Sequence, residues 1–149
     1  MASSDVRQAT ALDRFAIVRL LRDAHAAAPV VPVAFSAPHA LAIADRHIGD
    51  PSMLALVMGD QPQGVLLASA QDHPFGPARY AMETVWWVAP DARGRAAGAM
   101  LDAYEDWARG LGCAFCQMAA LVSFPQAEIL YRRRGYRAVE THFLKPLAA

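Results

Sequence analysis

The sequence predicts an α/β fold: a mixed, largely antiparallel central sheet of about six strands, with helices on both faces. Three observations predict it. Short apolar runs, aromatic and β-branched near their end, lie between Met53 and Val88 and are separated by turn residues, as in hairpins. Segments with helical spacing flank that block. The second half of the chain then alternates strand and helix, which builds β-α-β units and needs helices packed on a sheet. At 149 residues and 55% apolar composition, the chain suffices for one cored domain over residues 1–149.

The elements follow in order. Val6 to Ala9 reads as a short first strand. Thr10-Ala11-Leu12-Asp13 fits a capping box, with Asp13 bonding back to the cap N–H. A helix is expected from Leu12 to His25, with Leu12, Phe15, Ala16 and Leu20 recurring on one face. Pro29 and Pro32 end it, and Ser36 and Pro38 start a second helix that runs to Ile48. Met53 to Met58 and Val65 to Ala70 read as a hairpin across a Gly59–Gly64 turn. Arg79 to Val88 is a third central strand, closed by Pro90. A helix from Arg93 to Arg109 carries Ala97, Met100, Leu101, Tyr104 and Ala108 on one face, with a Glu105–Arg109 pair outside. Gly110 and Gly112 stop it. Cys113 to Leu121 is a strand, Pro125 opens a helix that ends at Gly135, and Tyr136 to Lys145 is the final strand.

Several function classes are excluded at this level. Lys+Arg and Asp+Glu both number 14, so the chain lacks the basic footprint of a general nucleic-acid binder. The Arg132-Arg133-Arg134 run sits in the last turn of a helix, where the dipole favours cations. No apolar run approaches the ~18–20 residues that span a bilayer. Met1 to Thr10 is polar, without the apolar segment of a signal peptide, so a cytoplasmic location is expected. Cys113 and Cys116 form a CxxC pair, but no second ligand pair has zinc spacing, and no metal is expected. On a strand their sulfurs should point to opposite faces, as two small buried side chains. His39, His47 and His73 are expected to be exposed loop or helix histidines.

The most telling stretch is Arg93-Gly94-Arg95-Ala96-Ala97-Gly98, at a strand-to-helix turn. Small residues let backbone approach a ligand. The first N–H groups of a helix have no partner within it, and the dipole adds positive charge there. That suits a phosphate or pyrophosphate, so a nucleotide-bearing cofactor is expected.

Three segments then resemble the GNAT superfamily of N-acetyltransferases. Val88-Ala89-Pro90-Asp91-Ala92-Arg93-Gly94 is similar to the family's strand exit, V-x-P-x-x-R-G. Arg93 to Gly98 resembles its acetyl-CoA motif, R/Q-x-x-G-x-G/A, with Ala96 where the motif has its first Gly. Ala127 to Tyr136 resembles N-x-x-A-x-x-L-Y-x-x-x-G-F, with Phe124 in the place of the Asn. The element order matches along nearly the whole chain.

The resemblance implies transfer of an acetyl group from acetyl-CoA to a primary amine of a small molecule or protein, by direct attack in a ternary complex. It implies that the pyrophosphate meets the N–H groups from Gly94 through Ala96, Ala97 and Gly98 to Ala99, together with Arg93 and Arg95. It implies that the pantetheine arm pairs with the strand around Trp86, Trp87 and Val88, as a ligand adding itself to a sheet edge. Alternation puts the two tryptophans on opposite faces, one in the core and one on the cleft. Tyr131 is the implied general acid toward the departing thiolate. Glu83, a carboxylate inside an apolar strand, is the candidate base, with a strand-end ion pair to Arg79 as the other reading. A bulge would change which face it occupies. Two other readings of the fold remain. One is a CoA-binding or sensing domain without turnover. The other is an interaction module, in which Val30, Val31, Val33 and Phe35 serve an interface. Those same residues would support a homodimer of the enzyme.

Overall fold

Residues 5–147 are described by a computed structural model of the chain. Five strands form one sheet in the order β1 (Val6–Gln8), β2 (Met53–Met58), β3 (Gly64–Asp72), β4 (Arg79–Val88) and β5 (Cys113–Gln117). Neighbours from β1 to β4 are antiparallel, and β5 runs parallel to β4. Helices α1 (Arg14–Ala26) and α2 (Ala37–Gly49) cover one face, and α3 (Arg95–Gly110) packs on the other. A fourth helix, α4 (Pro125–Arg133), follows β5. No helix among the described residues is long and apolar enough to cross a membrane.

The central strands are continuous apolar runs because both of their faces are covered. Leu54, Leu56, Leu66 and Ala68 point toward Met100 and Tyr104 of α3. Ala55, Val57, Val65 and Leu67 point the other way, toward Ile17, Leu20 and Ala44. Each large side chain so buried contributes roughly 1.5–3 kcal/mol by removal from water. On α3 the expected face is buried at Met100, Leu101, Tyr104 and Ala108, with Ala96 beside them. Glu105 and Arg109 pair at 3.4 Å on its outer side.

The capping box forms. Thr10 N donates to Asp13 Oδ2 at 2.8 Å, and Leu12 N donates to Thr10 Oγ1 at 3.3 Å. Asp13 is also forked to Arg7 by two 2.8 Å bonds, tying β1 to the helix start. That anchor corrects the face expected for α1. Ala11–Asp13 winds as a 3-10 turn that buries Asp13, leaving Leu12 94% and Phe15 70% exposed. A tighter winding changes the phase of the residues that follow. Ile17, Leu20 and Leu21 are the buried residues of α1.

Three further expectations are corrected. Cys113 and Cys116 both pack toward the α3 face, because a bulge between their pairings leaves Ala114 without a partner on β4. Three residues with one bulge restore the same side. Both thiols are half-buried. His47 is buried in α2. Tyr136 to Lys145 forms no strand. Tyr136 is held by its N–H to Tyr131 O (3.0 Å) and its hydroxyl to Glu105 (3.0 Å). Beyond it, Val139, Phe143 and Leu147 stand exposed. Strand propensity reports side chains that suit a pleated surface, and the ladder itself needs a neighbouring edge.

Candidate active site

The site begins where β4 and β5 separate. β5 pairs with β4 only through Arg79, Tyr80, Ala81 and Met82. From Glu83 to Val88, β4 pairs with β3 alone. Its other edge offers backbone N–H and C=O groups along six residues. An open edge of this kind takes an extended ligand as an added strand.

Side chains hold the two strands apart. Tyr104 on α3 donates its hydroxyl to Gln117 O at 2.8 Å. Tyr131 on α4 donates to Ala119 O at 2.9 Å. Ala119 N donates to Glu83 Oε1 at 3.2 Å. The chain leaving β5 thus satisfies its polar groups on side chains rather than on the β4 ladder, which meets the requirement that buried backbone be paired. This is why the strand expected to reach Leu121 ends at Gln117.

Glu83 lies on the face of β4 that looks toward α3. It pairs across the sheet with Ala68, which packs in that layer. Among the described residues Arg79 donates no hydrogen bond to it; Glu83 accepts one from Ala119 N. Burial pushes the Glu83 carboxyl up to about 7, partly offset by the Ala119 N–H. Near neutrality it therefore exchanges a proton readily, as a general base requires.

Tyr131 is 7% exposed, and its ring lies 6.0 Å from Trp86. Burial, and then the nearby Glu83, raise its phenol well above the ordinary value. A phenol so raised is a hydrogen-bond donor more than a proton source. Trp86 packs on the α3 face and Trp87 on the α1–α2 face, so they do alternate. Both are half-buried, and neither belongs wholly to the core. Both indole N–H groups are buried without a partner among the described residues.

The strand-to-helix turn needs glycine at one position. Gly94 has φ 124° and ψ −127°, a region that L side chains rarely enter. Ala97 N makes a hydrogen bond to Gly94 O at 3.0 Å, so the amides before it stand at the open helix end. Ala96 is buried against α3's own layer, and Gly98 and Ala99 are half-buried in the first turns. The side chain of Arg95 lies outside the described residues. Arg93 folds back over the β4 edge. Its Nε donates to Val88 O at 3.0 Å, and its guanidinium lies 4.9 Å from the Trp87 ring and 5.0 Å from the Phe124 ring. Phe124, in the place of the motif's Asn, is thus one side of a cation–π sandwich.

Sequence reasoning missed Thr84 and undervalued His47. Leu67 pairs with Val85 and Ala68 with Glu83, so Thr84 is the extra residue of a bulge. Its hydroxyl lies 3.2 Å from His47 Nε2. No local signal marks a bulge in a run of apolar residues, although a buried helix histidine always needs two partners for its nitrogens. The arginine run behaves as a helix end: Arg132 pairs with Glu128 at 2.8 Å, and Arg134 pairs with Asp102. Cys116 is a poor nucleophile, since burial raises its thiol, an effect that the Tyr136 hydroxyl 3.4 Å away only partly offsets.

No curated protein is significantly similar in sequence. Solved structures share the fold. A predicted acetyltransferase from Clostridium acetobutylicum, solved with acetyl-CoA, superposes with a TM-score of 0.79 at 15% identity, over 96% of each chain. AAC(6')-Iy, in complex with a CoA bisubstrate analogue, superposes at 0.77 and 16% identity, over 97% of this chain and 98% of that one. A ribosomal-protein-alanine N-acetyltransferase from Brucella melitensis biovar Abortus 2308 superposes at 0.72 and 18% identity, over 97% and 99%. At these identities the likeness speaks for the fold alone. The family model of the acetyltransferase (GNAT) family matches residues 17–136, which include the open β4 edge, the Gly94 turn and Tyr131, and the chain belongs to that family.

Proposed function

We propose that this protein transfers an acetyl group from acetyl-CoA to a primary amine of a small molecule or a protein. The observation that carries this reading is the open edge of β4 from Glu83 to Val88, leading directly to the α3 N-terminus. The pantetheine arm would lie along Trp86, Trp87 and Val88. The two buried indole N–H groups without partners are donors suited to its carbonyls. The pyrophosphate would meet the amides from Gly94 to Ala96, ahead of the Ala97 N to Gly94 O bond, with Arg93 and Arg95 adding charge. Arg93 would then release Val88 O and turn its guanidinium to the anion.

Transfer proceeds by direct attack. The amine nitrogen forms a bond to the thioester carbonyl carbon, and the C–S bond breaks. Glu83 takes the proton that the amine loses, and Tyr131 turns its hydroxyl from Ala119 O to donate a hydrogen bond to the departing thiolate. A free thiol has a pKa near ~8.5, below that of a buried phenol, so full transfer from Tyr131 would be uphill. Its role is stabilisation of the thiolate by a neutral donor. A cysteine acyl-enzyme is disfavoured by the raised Cys116 thiol.

Calorimetric titration with acetyl-CoA, with free CoA as control, tests the site. Saturable binding near one-to-one is expected, followed by thiol release with primary amines. Binding without thiol release for any amine would favour a sensing domain. No binding, with no thermal stabilisation, would overturn the reading.

A further inference from the structure

The β4 bulge holds a second polar group, on the face opposite Glu83. Val85, the residue after Thr84, packs in the α1–α2 layer, and Thr84 meets His47 of α2 on that same side. His47 is 3% exposed. Its Nδ1 lies 2.8 Å from Ile43 O, one helical turn back. A carbonyl can only accept, so Nδ1 carries the proton and donates. Burial lowers the His47 pKa, in keeping with a neutral ring. Nε2 is then a bare acceptor, and the Thr84 hydroxyl must donate to it across 3.2 Å. A hydroxyl has one proton and two lone pairs. With the proton committed inward, the oxygen of Thr84, an exposed residue, can act outward only as an acceptor.

This acceptor stands at the point where β4 loses its β5 partner, next to Glu83 in sequence and across the sheet from it. We infer that Thr84, oriented by His47, is a specificity-determining acceptor for an N–H of the incoming primary amine, entering from the α1–α2 side. His47 is the positioning residue. The inference rests on the acetyl-transfer reading. An ammonium has three N–H bonds, so it can lose one proton and still offer another to Thr84 as a hydrogen bond. A group that only accepts, such as a carboxylate or an ester, would find no donor there.

The test follows amide signals of residues 83–85 by NMR, in protein saturated with CoA and titrated with n-butylamine at neutral pH. Shifts at Glu83, Thr84 and Val85 are expected. Thr84→Val, which keeps the shape and removes the oxygen, should weaken the amine about tenfold, the typical worth of one such hydrogen bond. Thr84→Ser should stay within about threefold of the parent. His47→Phe, which frees the Thr84 proton to turn outward, should resemble Thr84→Val. CoA affinity should be unchanged in all three, which also shows that they fold. A link that merely pins α2 to the bulge would alter the melting temperature and leave amine affinity alone. Parent-like amine affinity in Thr84→Val, or no shift at 83–85 on amine addition, would overturn the assignment. Failure of the parent to bind CoA would instead overturn the acetyl-CoA reading beneath it.

Discussion

The two halves of β4 make different use of the same backbone. From Arg79 to Met82 the strand is paired on both sides, by β3 and by β5. From Glu83 to Val88 it is paired only by β3. Nothing in backbone chemistry separates the halves. Side chains do: Tyr104, Tyr131 and Glu83 take up the polar groups of residues 117–119 that would otherwise extend the ladder. One half is scaffold and the other is a slot for ligand. An open edge ordinarily invites wrong partners. Here it is flanked by side-chain layers on both faces.

The largest way to break the comparison is at the junction itself. Glu83→Gln keeps an acceptor for Ala119 N–H and removes the base. Amine turnover should fall ~10²- to 10⁴-fold, with acetyl-CoA affinity retained. The parent rate should rise as pH passes through about 7, where Glu83 loses its proton, and the variant should lose that rise. Stability has the opposite sign. The folded carboxyl lies above its ordinary value of 4.5, so ionisation favours the unfolded chain. The penalty starts above 4.5, grows toward 7 and is constant beyond it. Glu83→Gln should therefore melt higher than the parent at pH 8 and equally at pH 4. Thermal melts at both values check this.

Next comes the device that holds the slot open. Tyr104→Phe with Tyr131→Phe frees the carbonyls of Gln117 and Ala119 to seek the β4 edge. Acetyl-CoA affinity should fall about tenfold, from two lost hydrogen bonds of ~1 kcal/mol each, partly recovered by new pairing. Unchanged affinity and turnover in the double variant would show that the separation has another cause. Tyr131→Phe alone should lower turnover more than affinity, because its proposed partner is a thiolate present only late in the reaction.

A smaller effect is expected at the end of the slot. Gly94→Ala meets no crowding atom, so it tests backbone strain alone. The cost is of order 1–3 kcal/mol, divided between stability and the placing of the α3 amides. Calorimetry should show acetyl-CoA weakened by roughly fivefold. The smallest effect on function belongs to a region outside the slot. Asp13 is held down to about 2 by Arg7 and the Thr10 bonds. Its contribution is full above 3.8 and is lost as pH falls through 2. Asp13→Asn should lower stability by about 1–2 kcal/mol near neutrality, with the gap closing in acid. Acetyl-CoA binding should stay at the parent level.

The sequence alone determined a good deal, and each part of it was local. The capping box at Thr10, the Ser36 cap, the helical spacing in α3 and the glycine at residue 94 are set by neighbours within a few residues. Two periods, 3.6 and 2, suffice to read them. The motif around Arg93 and Tyr131 was legible for the same reason, and it pointed to the family and to the place of the proposed site.

Tertiary structure decided what depends on distant partners. The bulge at Thr84 is defined only against β3, and it sets Glu83 and Val85 on opposite faces. The bulge at Ala114 turns both cysteines to one side. His47 is buried because α2 lies over that bulge, which no spacing within α2 announces. The phase of α1 follows from Arg7 reaching Asp13 across a turn. The segment after Tyr136 has strand-like residues and no ladder. In each case the deciding interaction joins residues remote in sequence or counts one strand against another. Periodicity cannot carry that information, because a single inserted residue reverses every face beyond it.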